Sequence, residues 1–71
     1  MEIINDISSF LNYDIKKELH YNQALLLVLN KNEELNFNFF KNIRDVEIVY
    51  HTRIEVLVNG EDEFLIRIDF I

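Results

Sequence analysis

The chain contains no cysteine, no proline and no tryptophan, and a single glycine, Gly60. Without cysteine, no disulfide can staple a small fold, and no thiolate metal site or thiol nucleophile is available. With one glycine and no proline there is little room for linkers or long irregular loops. The longest apolar run, Ala24 to Leu29, is far short of the ~18 residues of a membrane span. No basic segment followed by an apolar stretch opens the chain, so no secretory signal is expected. The lack of cysteine suits a reducing cytoplasm. Basic residues are also scarce. Seven stand against thirteen acids, for a net charge of -6. That balance argues against direct nucleic-acid binding, which needs Lys and Arg to displace counterions. It suits a protein partner with a basic surface.

What is abundant is apolar. Hydrophobic residues make up 49% of the 71, with six Phe and three Tyr. A chain this size is expected to form one domain over residues 1–71, burying only about 60% of its unfolded surface. Its stability must come from a dense core or from association, so a homodimer or permanent partner is a natural expectation. The richness in Ile, Asn and Phe is common in proteins of AT-rich genomes, including phages.

Residues 1–13 read as an amphipathic helix. Ile3, Ile4, Ile7, Phe10 and Leu11 follow i, i+3, i+4, i+7 spacing, and Glu2 and Asp6 suit its dipole. Asn12 and Asp14 are candidate terminators. Residues 15–21 alternate as an edge strand would, although Asp14 could instead cap a helical turn. Ala24 to Leu29 is apolar on both faces, which suggests a central strand with the helix on one side and something else, such as a partner, on the other. A loop at Asn30-Lys31-Asn32 then leads to an alternation of Leu35, Phe37 and Phe39, expected to set Leu27 opposite Leu35 and Leu25 opposite Phe37. Residues 40–45 read as a connector, with one helical turn as the alternative.

From Val46 to Val58 the chain alternates without a break, which is read as one long half-buried strand. A second alternation follows at Phe64, Ile66, Ile68 and Phe70. The expected fold is therefore α+β: an N-terminal amphipathic helix packed on an antiparallel sheet of four to five strands, ending in a long C-terminal hairpin. A two-residue Asn59-Gly60 turn would oppose apolar to polar faces, so parity favours a three-residue loop, Val58-Asn59-Gly60, with Gly60 left-handed. That register pairs Ile54 with Phe64 and Thr52 with Ile66 inside. Outside, it sets Glu55 opposite Glu63, Leu57 opposite Glu61 and His51 opposite Arg67.

The candidate site follows from that register. Glu55, Glu61, Asp62 and Glu63 would gather at the bend around Leu57 and Leu65, an acidic and apolar surface for binding a basic partner. The alternative is a solvated tip that guards an edge against aggregation. Glu61-Asp62-Glu63 lacks the spaced oxygens and fixed glycine of a calcium loop, so no metal is expected. Glu33-Glu34 reads as a solvated loop. His20 and His51 have no matched partners, and no nucleophile elbow, phosphate loop or paired metal histidines occur, so neither catalysis nor a cofactor is expected.

The opening Ile3-Ile4-Asn5-Asp6-Ile7, with a short helix and then Leu25-Leu26-Leu27-Val28-Leu29-Asn30-Lys31-Asn32, resembles the start of small acidic anti-CRISPR proteins of phages. The resemblance implies a helix-plus-sheet fold and an acidic, non-enzymatic inhibitor acting in the host cytoplasm. Such an inhibitor blocks the basic DNA-binding groove of a nucleic-acid-binding effector. It carries over no contact residue. The competing expectation is a self-associating structural or assembly module that pairs through an exposed sheet edge.

Overall fold

The computed structural model describes residues 2–11, 15–30 and 35–71. Two helices and four strands follow in the order α1 (Glu2–Ser9), β1 (Lys17–His20), β2 (Ala24–Asn30), α2 (Phe37–Tyr50), β3 (Thr52–Asn59) and β4 (Glu63–Phe70). The strands form one antiparallel sheet in the order β1-β2-β4-β3. β2 and β3 therefore run parallel with β4 inserted between them, and α2 makes the crossover. The fold is α+β with four strands and a C-terminal hairpin, as the patterning predicts, plus a second helix that the patterning did not.

That helix replaces two expected strand segments. Phe39, Ile43 and Val46 are buried on one stripe of α2 at i, i+4 and i+7, with Tyr50 packed behind them. Asn36 caps the start, its Oδ1 accepting from the Phe39 N–H at 3.0 Å. The other end stops at His51, which adopts the left-handed region (φ 52°) and donates its N–H to the Glu47 carbonyl. The alternation from Val46 to Val58 is thus a helix tail and a strand joined end to end. Leu35 and Phe37 do not face β2. Leu25 and Leu27 pair instead with His20 and Glu18 on one side and with Ile68 and Ile66 on the other. The expected loop residues Lys31 and Asn32, the terminators Asn12 and Asp14, and Glu33-Glu34 lie outside the described residues.

Lys17 to His20 is an edge strand, settling the ambiguity of residues 15–21. Inward-facing Leu25, Leu27 and Leu29 of β2 and Phe64, Ile66 and Ile68 of β4 meet Ile3, Ile4 and Ile7 of α1 and the stripe of α2 in one core. Both helices lie on this inner face. Fully burying each such side chain contributes about 1.5–3 kcal/mol.

Thr52 is buried on the same face with its hydroxyl unpartnered. A buried hydroxyl without a hydrogen bond costs about 1–3 kcal/mol, while a methyl of the same shape costs nothing of the kind. Thr52→Val is therefore expected to raise stability by about 1 kcal/mol in urea denaturation. A loss of stability would mean that the hydroxyl is satisfied.

α1 and α2 are tied by Tyr50, whose hydroxyl donates to Asp6 Oδ2 at 2.5 Å. That hydrogen bond, then desolvation, then the charges of Asp6 and Glu2 push the Tyr50 phenol up from 10.0 to about 12. Because the folded value lies above the unfolded one, the stabilisation is complete below pH 10.0 and is lost as pH rises through about 12. In an ultraviolet titration one tyrosine should ionise late, and Asp6→Asn should bring it back to the others. Simultaneous ionisation of all tyrosines in the unaltered protein would contradict the contact.

Candidate functional site

The hairpin register differs from the expected one by four residues. Thr52 pairs with Phe70, Ile54 with Ile68, Val56 with Ile66 and Val58 with Phe64. The loop has three residues, as parity requires, but they are Gly60-Glu61-Asp62, with Gly60 left-handed at φ 73°. The cause lies in α2. Residues before Thr52 are helical, and in the expected register Ile68 and Phe70 would face Tyr50 and Ile48 of that helix. The shift lets all eight residues of β3 meet all eight of β4. It also places opposite charges across the strands, Glu55 against Arg67 and Arg53 against Asp69.

This register disperses the expected acidic cluster. Glu55 stands four residues along β4 from Glu63, roughly 13 Å at strand spacing. Glu63 is engaged as well. Its Oε2 accepts from Lys16 Nζ at 2.5 Å and its Oε1 from Asn59 Nδ2 at 3.2 Å. The Lys16 hydrogen bond and charge, followed by Asn59 and the charge of Lys17, hold the Glu63 carboxyl below its usual value against a smaller opposing desolvation. That contribution is present above the unfolded pKa and is lost as pH falls through the folded one. Glu61 and Asp62 remain exposed at the bend.

Leu57 and Leu65, by contrast, are brought face to face across the hairpin. They belong to a band on the outer face of the sheet, away from the helices. One row runs Lys17–Val28–Leu65–Leu57 and the next Leu19–Leu26–Arg67–Glu55. Tyr21 and Leu57 are 61% and 40% exposed, and Leu19, Leu26, Val28 and Leu65 are half-buried by one another. Between Tyr21, Ala24, Leu26, Leu57, Leu65 and Arg67 lies a depression of about 380 Å³. The signal for Leu26 and Val28 was legible, since Ala24 to Leu29 is apolar on both faces. Joining them to Leu57 required knowing that β4, and not β3, lies beside β2.

Neither edge of the sheet is β4. The edges are β1 and β3. On β3 the Glu47 carboxylate of α2 accepts from the Ile54 N–H at 2.7 Å, occupying a ladder donor that an added strand would use.

His20 sits 3.2 Å from Glu18 on the exposed edge strand, and His51 is exposed at the helix end. Among the described residues no three His, Asp or Glu side chains converge as metal ligands, and no helix is long and apolar enough to cross a membrane. Comparison of the chain with family models, with curated proteins and with solved structures yields no match.

Proposed function

We propose that the protein is a non-enzymatic interaction module that binds another protein chain through the outer face of its sheet. The supporting observation is the apolar band from Leu19 and Leu26 to Val28, Leu65 and Leu57, on a face that no described element covers. One-faced antiparallel sheets ordinarily present polar residues to water. A contiguous apolar patch with a charged surround is the anatomy of a contact surface. Arg53, Glu55, Arg67 and Asp69 supply that surround. His20 meets the Glu18 carboxylate on an exposed edge strand and His51 is exposed at the end of α2, surroundings that favour binding over catalysis.

The narrower reading, an inhibitor that blocks a basic nucleic-acid-binding groove as anti-CRISPR proteins do, draws on the net charge of -6 and the exposed Glu61 and Asp62. Glu55 and Glu63 no longer support it, since each faces a cation or its partner. It entails binding that weakens with salt and fails in Glu61→Lys.

The module reading is tested by cross-linking in cells that express the protein, comparing the unaltered chain with Leu57→Lys/Leu65→Glu. The expected result is a discrete adduct, with the same chain or another, that disappears in a double variant of unchanged circular dichroism. An adduct pattern identical in the two would overturn the assignment of this face.

A further inference from the structure

Two copies of a chain with charge -6 repel one another on approach. The outer sheet face is the exception to that imbalance. It carries Lys17, Arg53 and Arg67 against Glu55, Glu63 and Asp69, and the Lys16 ammonium reaches Glu63 as well, so cations fully offset its acids. The acid excess lies elsewhere, at Glu2, Asp6, Glu18, Asp45, Glu47, Glu61 and Asp62 among the described residues.

We propose that the occupant of the outer face is a second copy of this chain, the two sheets packing face to face about a two-fold axis. The inference rests on the module reading above and names its partner. A balanced face is self-complementary in the sense a two-fold interface demands, because each cation can meet an acid of the same surface on the other copy. Area is sufficient. The molecule measures 30 × 25 × 17 Å along its principal axes. A 30 × 25 Å face offers at most roughly 750 Å², close to the ~800 Å² per partner of stable complexes. Apolar side chains of Leu26, Val28, Leu57 and Leu65 would fill the space between sheets ~10 Å apart, as in a sandwich. The Arg67 stem adds apolar surface, and its head is already held by Asp69 at 3.3 Å. The contact also gives a small, disulfide-free chain a third layer, on the face its own helices leave uncovered.

Sedimentation equilibrium at about 100 μM, well above a micromolar dissociation constant, reads the result directly. The expected mass is twice 8.6 kDa. Leu57→Lys should halve it while circular dichroism is unchanged. Arg67→Glu, which turns the balanced face acidic, should do the same and serves if Leu57→Lys fails to fold. Ile48→Lys, at a 66% exposed position on α2, should leave the doubled mass intact. Added salt should preserve or tighten the dimer, because it screens the repulsion between the two net charges. A mass of 8.6 kDa for the unaltered chain, or a doubled mass that survives both face variants, would overturn the proposal. If the unaltered chain is monomeric but still cross-links to another protein through Leu57 and Leu65, only the identity of the occupant falls. Loss of both results removes the module reading too.

Discussion

Replacing Phe64 with alanine is expected to remove about 3–5 kcal/mol of stability, the range for emptying a fully buried aromatic site. A chain of this length holds roughly 4–11 kcal/mol in total, so the variant should be largely unfolded or close to it. The size of the effect follows from where Phe64 stands. It is fully buried on β4, one of the two interior strands, between Leu29 of β2 and Val58 of β3. Its ring meets Phe39 of α2 edge to face, with centroids 6.0 Å apart at 86°. Phe39 in turn meets Phe10 beyond α1 at 6.0 Å and 75°. One side chain thereby ties the sheet to α2 and, through Phe39, to the residue that follows α1.

Urea denaturation gives the number, with Phe37→Ala as the comparison. Phe37 is 80% exposed, and its loss should move the midpoint by less than about 0.5 kcal/mol equivalent. A double-mutant cycle over Phe39 and Phe64 should show a coupling of about 0.5–1.5 kcal/mol, the worth of an edge-to-face pair beyond its area. A Phe64→Ala cost under about 1 kcal/mol would be incompatible with full burial at the centre of the sheet.

The elements legible in the sequence are those whose period is unmixed. The N-terminal helix announces itself through Ile3, Ile4 and Ile7, all buried on one face. β2 is legible as a run apolar on both faces, β4 through strict alternation, and the three-residue length of the β3–β4 hairpin loop through parity alone. Residues 46–50 carry a coincidence of phase between helix and strand. In a helix, Val46 and Tyr50 share a face at i, i+4, and in a strand they share one as well, because four is even. Ile48 is the residue that separates the two cases. A strand would bury it with its even-numbered neighbours, whereas α2 turns it outward to 66% exposure. Phe37 and Phe39 divide in the same way, one outward and one in the core. The punctuation that decides the matter is local. Asn36 caps the helix start, and the left-handed His51 divides helix from strand at a residue type only modestly suited to that conformation.

The consequence for the candidate site is indirect but large. Once residues 37–50 are helical, β3 begins at Thr52, and the hairpin slides until Glu55 meets Arg67. Glu55 then stands along the sheet opposite Arg67 and Glu63 is held by Lys16, which leaves Glu61 and Asp62 as the exposed carboxylates of the bend. Leu57 and Leu65, placed among acids by the expected register, become direct neighbours and continue the apolar outer side of β2. The emphasis thus moves from charge at a tip to shape and greasiness across a face, and α2 is the element on which that move depends.

The helix through residues 37–50 is therefore the feature to challenge, and proline at position 44 challenges it cleanly. Arg44 is exposed at mid-helix, so its side chain is not part of the core. Proline there deletes the N–H that bonds to the Phe40 carbonyl and drives its ring against that same group, at a cost of about 3 kcal/mol or more. Arg44→Ala removes the same charge and keeps the helix, and should stay within about 0.5 kcal/mol of the unaltered chain. If residues 40–45 were an irregular connector, as their composition first suggests, the two variants would have nearly the same denaturation midpoint. With α2 continuous, Arg44→Pro should unfold at much lower urea and lose helical circular dichroism. Because α2 packs on β3 and supplies the Glu47 carboxylate to the Ile54 N–H, that loss should spread to β3 and free the hairpin register. Hydrogen exchange at Ile54 then reports whether helix and strand fail together, as a register imposed by α2 requires.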